Sequence, residues 1–294
     1  MQKIVPHLWF DSQAGEAADF YVRVFPDSKE KSRYVLEDTP SGDALSVSLT
    51  ICGMDFMFIS AGPYFTLNPS VSFMVACQTK EEVDSLHAKL VEGGSVLMPL
   101  DAYPYSERYS WVVDKFGVSW QLIYVGPIDI PQRITPTQLF VGDVNGKCEE
   151  AIRFYVSIFK NAKIGDISRY GEGALPDLPE HINYIGYTLE DVDFAAMDSA
   201  LDHQFSFNEA ISYVVFCENQ EEIDYYWNAL SFVPEAEQCG WLKDKYGFSW
   251  QIVPSEMDEM MTHSDPETQA RITQAFLQMK KFDIAELKRV YEEK

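Results

Sequence analysis

A glutamine stands in the middle of an otherwise apolar strand pattern twice in this chain. Asp114-Lys115-Phe116-Gly117-Val118-Ser119-Trp120-Gln121-Leu122 returns as Asp244-Lys245-Tyr246-Gly247-Phe248-Ser249-Trp250-Gln251-Ile252. A primary amide buried in a sheet must find hydrogen-bond partners. Gln121 and Gln251 are therefore candidates to bond a ligand, or to bond across the sheet. His7, near the chain start, has the chemistry of a metal ligand or base, although a lone histidine at a strand start more often has a structural role. Asp198 has the chemistry of a ligand or general base, or ends a strand and bonds its own turn. Cys239 lies in a polar turn beside Gly240 and Trp241 and is a candidate nucleophile, but no nearby histidine in sequence would activate it. The rings of Trp111, Trp120, Trp241 and Trp250 are candidates to line a pocket or to fill a sheet core. Asn208, with Glu209 just before a strand, reads as a turn or a mouth residue.

The elements that must position these groups repeat as well. In each repeated stretch Asp and Gly make a tight turn, because Asp bonds its own backbone and Gly accepts φ > 0. The strand that follows puts Val118, Trp120 and Leu122 on one face and Ser119 and Gln121 on the other. Phe20-Tyr21 with Val24-Phe25 matches Phe154-Tyr155 with Ile158-Phe159, and Cys77 with Glu81-Glu82-Val83-Asp84 matches Cys217 with Glu221-Glu222-Ile223-Asp224. A period of roughly 130–140 residues is a domain duplication. Within the first copy a strand over 4–10, a helix over 15–25 stopped by Pro26, and strands over 32–37, 45–51 and 55–60 are followed by a second cycle. That cycle has a strand over 71–77, a helix over 80–91 capped by Thr79 and Glu82, and three more strand candidates. The pattern is βαβββ twice per copy. Residues 126–133, with two prolines, read as a linker between domains over 1–125 and 134–254. Residues 255–294 read as an amphipathic helical tail, with helix starts at Asp265-Pro266 and Asp283.

The chain has 294 residues and a net charge of −23, and nearly half of it is apolar. That suits two domains with real cores and disfavours nucleic acid or an anionic membrane as partner. No apolar run is long enough to cross a bilayer, and the N-terminus lacks a secretory pattern, so a soluble cytoplasmic protein is expected. The five cysteines show no CxxC pairing and suggest neither a disulfide framework nor a structural zinc site.

Paired βαβββ modules resemble the vicinal-oxygen-chelate superfamily, which includes glyoxalase I, the extradiol dioxygenases and the bleomycin-resistance proteins. The motifs most similar to its PhnB-like branch, labelled 3-demethylubiquinone-9 3-methyltransferase, are Phe154-Tyr155…Ile158-Phe159, Phe207-Asn208-Glu209-Ala210-Ile211-Ser212 and Cys239-Gly240-Trp241 through Gln251. In the first copy, Pro6-His7-Leu8-Trp9-Phe10-Asp11 and the closing strand are similar. The resemblance implies an α+β fold: tandem glyoxalase-like domains, each of two βαβββ modules forming a cupped half-barrel sheet, plus the C-terminal helical tail. Metal enzymes of the superfamily carry ligands at four strand positions, usually His and Glu. Carried over, these fall near His7, Ser60, Ser70 or Ser72, and Gln121 in the first copy. In the second they fall near Thr137 or Gln138, Asp198, Ile211 or Ser212, and Gln251. Only His7 and Asp198 are ordinary ligands, so neither a metal nor another cofactor is expected. Nor does a Gly-rich first turn support the methyltransferase label as an activity. The expected function is binding of a small molecule of unknown identity. The alternatives are a metal-dependent lyase, isomerase or dioxygenase, a drug-sequestering protein of the bleomycin-resistance type, and a purely structural domain pair. The domain pair of one chain would replace a two-subunit pairing, as a monomer or within a homodimer.

Overall fold

The computed structural model describes residues 2–293. The first module contains β1 (Ile4–Phe10), α1 (Ala14–Val24), β2 (Lys29–Thr39), β3 (Gly42–Ile51) and β4 (Met54–Ser60). The second contains β5 (Val71–Cys77), α2 (Lys80–Leu90), β6 (Ser95–Tyr103), β7 (Ser106–Val113) and β8 (Ser119–Tyr124). In the second half, β9 (Ile134–Phe140), α3 (Cys148–Ile158), β10 (Lys163–Arg169), β11 (Ile182–Leu189) and β12 (Val192–Asp198) form the third module. The fourth has β13 (Ile211–Cys217), α4 (Gln220–Leu230), β14 (Trp241–Lys243) and β15 (Ser249–Pro254). The tail carries α5 (Met257–Thr262), α6 (Pro266–Leu277) and α7 (Ile284–Glu292). The protein is α+β, with tandem halves and curved mixed sheets; three modules are βαβββ as the repeat pattern requires, and the fourth lacks the first strand after its helix, where a short 3-10 turn (Pro234–Ala236) stands instead.

Local chemistry explains the helix ends. Thr79 Oγ1 accepts the Glu82 amide at 3.1 Å, and the Glu82 carboxylate accepts the Gln78 amide at 3.0 Å. Asn219, Glu222 and Glu218 repeat this at α4. Asp265 and Asp283 cap α6 and α7, each through the amide three residues on. Helix α5 lies outside the pattern read from sequence. It is short, and only its buried methionines Met257, Met260 and Met261 mark it.

The repeated turn is tied down by its aspartate. The Asp114 carboxylate accepts from the Tyr21 hydroxyl (2.7 Å), Trp120 Nε1 (2.8 Å) and the amides of Phe116 and Val118 (2.9 and 3.1 Å). Asp244 does the same with Tyr155, Trp250, Tyr246 and Phe248. Each knot joins the first helix of a half to the closing turn of that half. Burial pushes both carboxyls above the ordinary aspartate value.

The sheets are assembled across the halves. One has the order β14-β15-β13-β1-β4-β3-β2, and the other β10-β11-β12-β9-β5-β8-β7-β6. Strand β1 pairs antiparallel with β13, and β5 with β9. Each sheet thus takes one module from either half. Reciprocal side-chain ties reinforce the exchange. Asn68 Nδ2 donates to the Ser206 carbonyl, and Asn208 Nδ2 to the Thr66 carbonyl. Lys3 pairs with Glu222, and Arg133 with Glu82.

Candidate functional site

Each sheet has a helix-facing side and a cupped side, and strand register assigns residues to them. In the seven-stranded sheet His7 lies opposite Ser212 on one side and Met57 on the other. Ser212 Oγ accepts from Gln251 Nε2 at 3.0 Å, and Gln251 lies opposite Trp241. In the eight-stranded sheet Thr137 lies opposite Ser72, and Ser72 Oγ accepts from Gln121 Nε2 at 2.8 Å. Gln121 lies opposite Trp111, and its Oε1 accepts from the Tyr109 hydroxyl at 2.7 Å. Burial pushes that phenol well up, so it remains a donor at neutral pH. The two cups therefore carry the matching polar rows His7–Ser212–Gln251 and Thr137–Ser72–Gln121. Each row draws on both halves, whereas the carry-over by copy grouped His7 with Gln121 and Thr137 with Gln251.

The remaining sequence candidates separate by face. Trp111 and Trp241 are half-buried on the cupped sides, with the Trp241 ring edge-on to His7 at 5.5 Å between centroids. Trp250 is a correction: strand alternation turns it to the helix side, where its indole bonds Asp244. Asp198 also faces the helices. Its Oδ1 accepts the Gly146 and Cys148 amides (2.7 and 3.2 Å) and its Oδ2 the Ile182 amide (2.9 Å). These partners lie at the start of α3 and of β11 and not in the turn of Asp198 itself, so neither reading from sequence holds, and the carboxylate is left no cup-facing role. Ser60, carried over as its first-half counterpart, likewise accepts the Ala14 amide at the start of α1. The cup-facing residues near these two are Met57 and Ile59, and Ala195 and Met197. A one-residue shift in a carried-over strand position inverts its face.

Cys239 is a second correction. Its backbone has φ 51°, its amide donates to the Met279 carbonyl, and burial raises its thiol above the ordinary value. A thiol held protonated with no histidine bonded to it is a poor nucleophile. Asn208 spends its amide on the Thr66 carbonyl and the Ala210 amide, so it joins the halves.

The two cups differ in how far they are closed. Val5, Ser46, Val214, Phe216 and Val253 are buried in the seven-stranded cup. Their register counterparts Thr135, Tyr184, Met74, Ala76 and Ile123 are all partly exposed. Trp9 and Met57 run the other way: they are partly exposed, and their counterparts Leu139 and Ala195 are buried. Strands β13 and β15 are buried along their whole length, whereas β5 and β8 open towards their C-terminal ends. The tail accounts for the difference. Asp258 of α5 accepts from Ser32 Oγ at 3.3 Å on the cupped side of β2, and residues 277–280 bond the turn before β14. These are the two edge strands of that sheet.

A separate cleft of about 450 Å³ lies where the turns of the two halves meet, lined by Lys3, Cys52, Arg133 and Glu190 among others. Its two cations are already paired with Glu222 and Glu82.

A family model described as 3-demethylubiquinone-9 3-methyltransferase matches residues 2–123 and again 132–253. The chain belongs to this family. One solved relative, a putative 3-demethylubiquinone-9 3-methyltransferase, PhnB protein, from Bacillus cereus, is 36% identical over 42% of this chain and 100% of its own, with a TM-score of 0.40. Glyoxalase I from Zea mays is 12% identical over 89% of this chain and 98% of its own, with a TM-score of 0.55. A putative dioxygenase from Bacillus subtilis is 11% identical over 95% and 96%, with a TM-score of 0.50. At such identities the last two show a shared fold across most of the chain. No curated protein matches the chain in sequence.

The donors in the cups of this family member do not fit a divalent ion. One cup offers a single imidazole with a serine and an amide, and the other offers only hydroxyls and an amide. Neutral oxygens compensate poorly for an ion's lost hydration. Among the described residues no group of three or more His, Cys, Asp or Glu is placed to hold a metal. His7 is buried with no charged neighbour, which lowers its pKa from 6.5 to about 3, and its Nδ1 has no hydrogen-bond partner.

Proposed function

We propose that this chain is a small-molecule-binding protein of glyoxalase fold whose working site is the cup of the eight-stranded sheet, used without a conventional metal ion. The observation that carries the reading is the asymmetry between the cups. Five positions buried in the seven-stranded cup are partly exposed in the eight-stranded one, against two, Trp9 and Met57, that run the other way. Small-molecule sites are concave and mostly apolar, with a few fixed polar groups. Met74, Ile123, Met197 and Trp111 supply the apolar wall, and the Tyr109–Gln121–Ser72 chain supplies the fixed polar groups. Five free cysteines suit a reducing compartment, and no helix among the described residues is long and apolar enough to cross a membrane. With the sheets already paired between halves, one chain is sufficient to build the site.

The test uses methyl-labelled Met, Val and Ile and the uncharged aromatic probe 2-naphthol, followed by NMR. The Met74, Met197 and Ile123 methyls are expected to shift saturably, and Gln121→Leu to weaken the response about fivefold, the loss of one hydrogen bond. Unmoved methyls at all three positions would overturn the reading. So would a stoichiometric divalent ion in protein purified without chelator.

A further inference from the structure

The seven-stranded cup retains what a binding site needs, although its floor is covered. Its polar row has the same strand positions as that of the open cup. Beside the row stand two indoles, Trp9 and Trp241, with centroids 6.3 Å apart, and Trp241 is edge-on to His7. His7 is 6% exposed, and its Nδ1 is left without a partner. An orphaned buried nitrogen costs about 1–3 kcal/mol. If the covering segment were only a packing element, an apolar residue would serve better at that position. The orphan marks a group that is complete only when something else bonds it.

The cover is fastened at one edge in an unusual way. Gln238 Nε2 donates to the Leu277 carbonyl, the Cys239 amide to Met279 and the Gly240 amide to Lys280, all at 2.7–2.8 Å. Gly240 has φ +81°, and a Cβ there would stand 2.5 Å from the Phe282 ring and 2.9 Å from the Ile252 carbonyl. No other residue type permits this approach of tail to sheet. At the other edge the tail meets β2 through the polar contacts of Asp258 with Ser32 and of Gln274 with the Asp38 carbonyl. The tail's buried side chains include Met257, Met260 and Met261 of α5, which are flexible and adapt to irregular space, and Ile272 of α6.

We infer that the seven-stranded cup is a second binding site, for an uncharged aromatic molecule bearing one hydrogen-bonding group, and that the chain's own tail occupies it as an internal competitor latched at Gly240. Charge is absent from the ligand class because the polar row offers only a neutral imidazole, a hydroxyl and an amide. The ring is set by the two indoles, and the hydrogen-bonding group by His7 Nδ1. This inference rests on the reading that the cups are ligand sites.

The test uses the full chain with the labels and probe above. Val214 and Val253 report the covered floor, and Met74 and Ile123 the open cup. In the unsubstituted protein 2-naphthol is expected to move Met74 and Ile123 and to leave Val214 and Val253 in place. Gly240→Ala unlatches the tail. Met260→Glu, a second route, expels it by placing a charge where a methionine is buried. In either variant the Met257 and Met261 methyls are expected to move to the positions of exposed methionine, and Val214 and Val253 to become probe-responsive. Adding His7→Leu to either variant then weakens that new response about fivefold. Released tail methionines with silent valines would overturn the second site. Tail methionines unmoved in both variants would overturn the latch. Silence at Met74 and Ile123 in the unsubstituted protein would instead strike only the proposed working site.

Discussion

Replacing His7 by leucine makes stability respond to pH in a way that tests the sealing of its cup. In the folded chain burial lowers the imidazole pKa to about 3, whereas the unfolded chain titrates near 6.5. Between those values the folded state binds fewer protons than the unfolded one, so stability falls as pH drops through 6.5 towards 3. Above 6.5 the term vanishes. At pH 5.0 the two pKa values give a loss of about 2 kcal/mol, from about 1.4 kcal/mol per pH unit over the 1.5 units below 6.5. His7→Leu removes this term, removes the orphaned Nδ1, and keeps a similar volume against Trp241. The variant is expected to lie within about 1.5 kcal/mol of the parent at pH 7.5. From pH 7.5 to 5.0 its stability relative to the parent is expected to rise by about 2 kcal/mol. Urea denaturation at both pH values, followed by circular dichroism, measures the difference. A difference that does not change with pH would mean that His7 reaches water or a carboxylate in the folded protein. The sealed cup would then be refuted together with the role assigned to the tail.

Three further substitutions probe the scaffold. Asp244→Asn opposes an amide to the donors now shared by Tyr155, Trp250, Tyr246 and Phe248, and is expected to destabilise the protein by about 3 kcal/mol in thermal unfolding. A loss below about 1 kcal/mol would show that the knot is dispensable. Asn208→Ala removes one of the reciprocal ties between halves and Asn68→Ala the other. Each is expected to cost about 1 kcal/mol in chemical denaturation without changing the response of Met74 to 2-naphthol, and a lost response would return Asn208 to the binding site.

Much of the fold is legible in the order of residues because its causes are local. Alternating apolar residues make Val118–Leu122 a strand, and Thr79 with Glu82 starts a helix, wherever the chain runs in space. The duplication follows from matching stretches alone. The face of a residue is less secure. Trp250 and Asp198 drew attention as polar or aromatic groups near strand ends, and register placed both against the helices. Met74, Ile123 and Tyr184, which open the cup, carry no mark in the sequence, because exposure depends on what lies opposite. The glutamines behaved differently: each was correctly marked as needing a partner, and each found a serine on the neighbouring strand.

The sequence by itself thus determined the duplicated modules, the two repeated glutamines that need partners and the helical character of the tail, all written in matching stretches, short-range periodicity and capping chemistry. Only the tertiary structure decided that β1 pairs with β13 and β5 with β9, so that each row is completed by the other half. Strand edges are chemically alike, and the choice between them is made by loop lengths and by packing of the whole. Only the tertiary structure, likewise, laid the tail across one cup and not the other. Two nearly equivalent sheets present nearly equivalent surfaces, and the symmetry is broken by the helices that follow β15: β15 belongs to the seven-stranded sheet, and the helices that leave it reach that cup first.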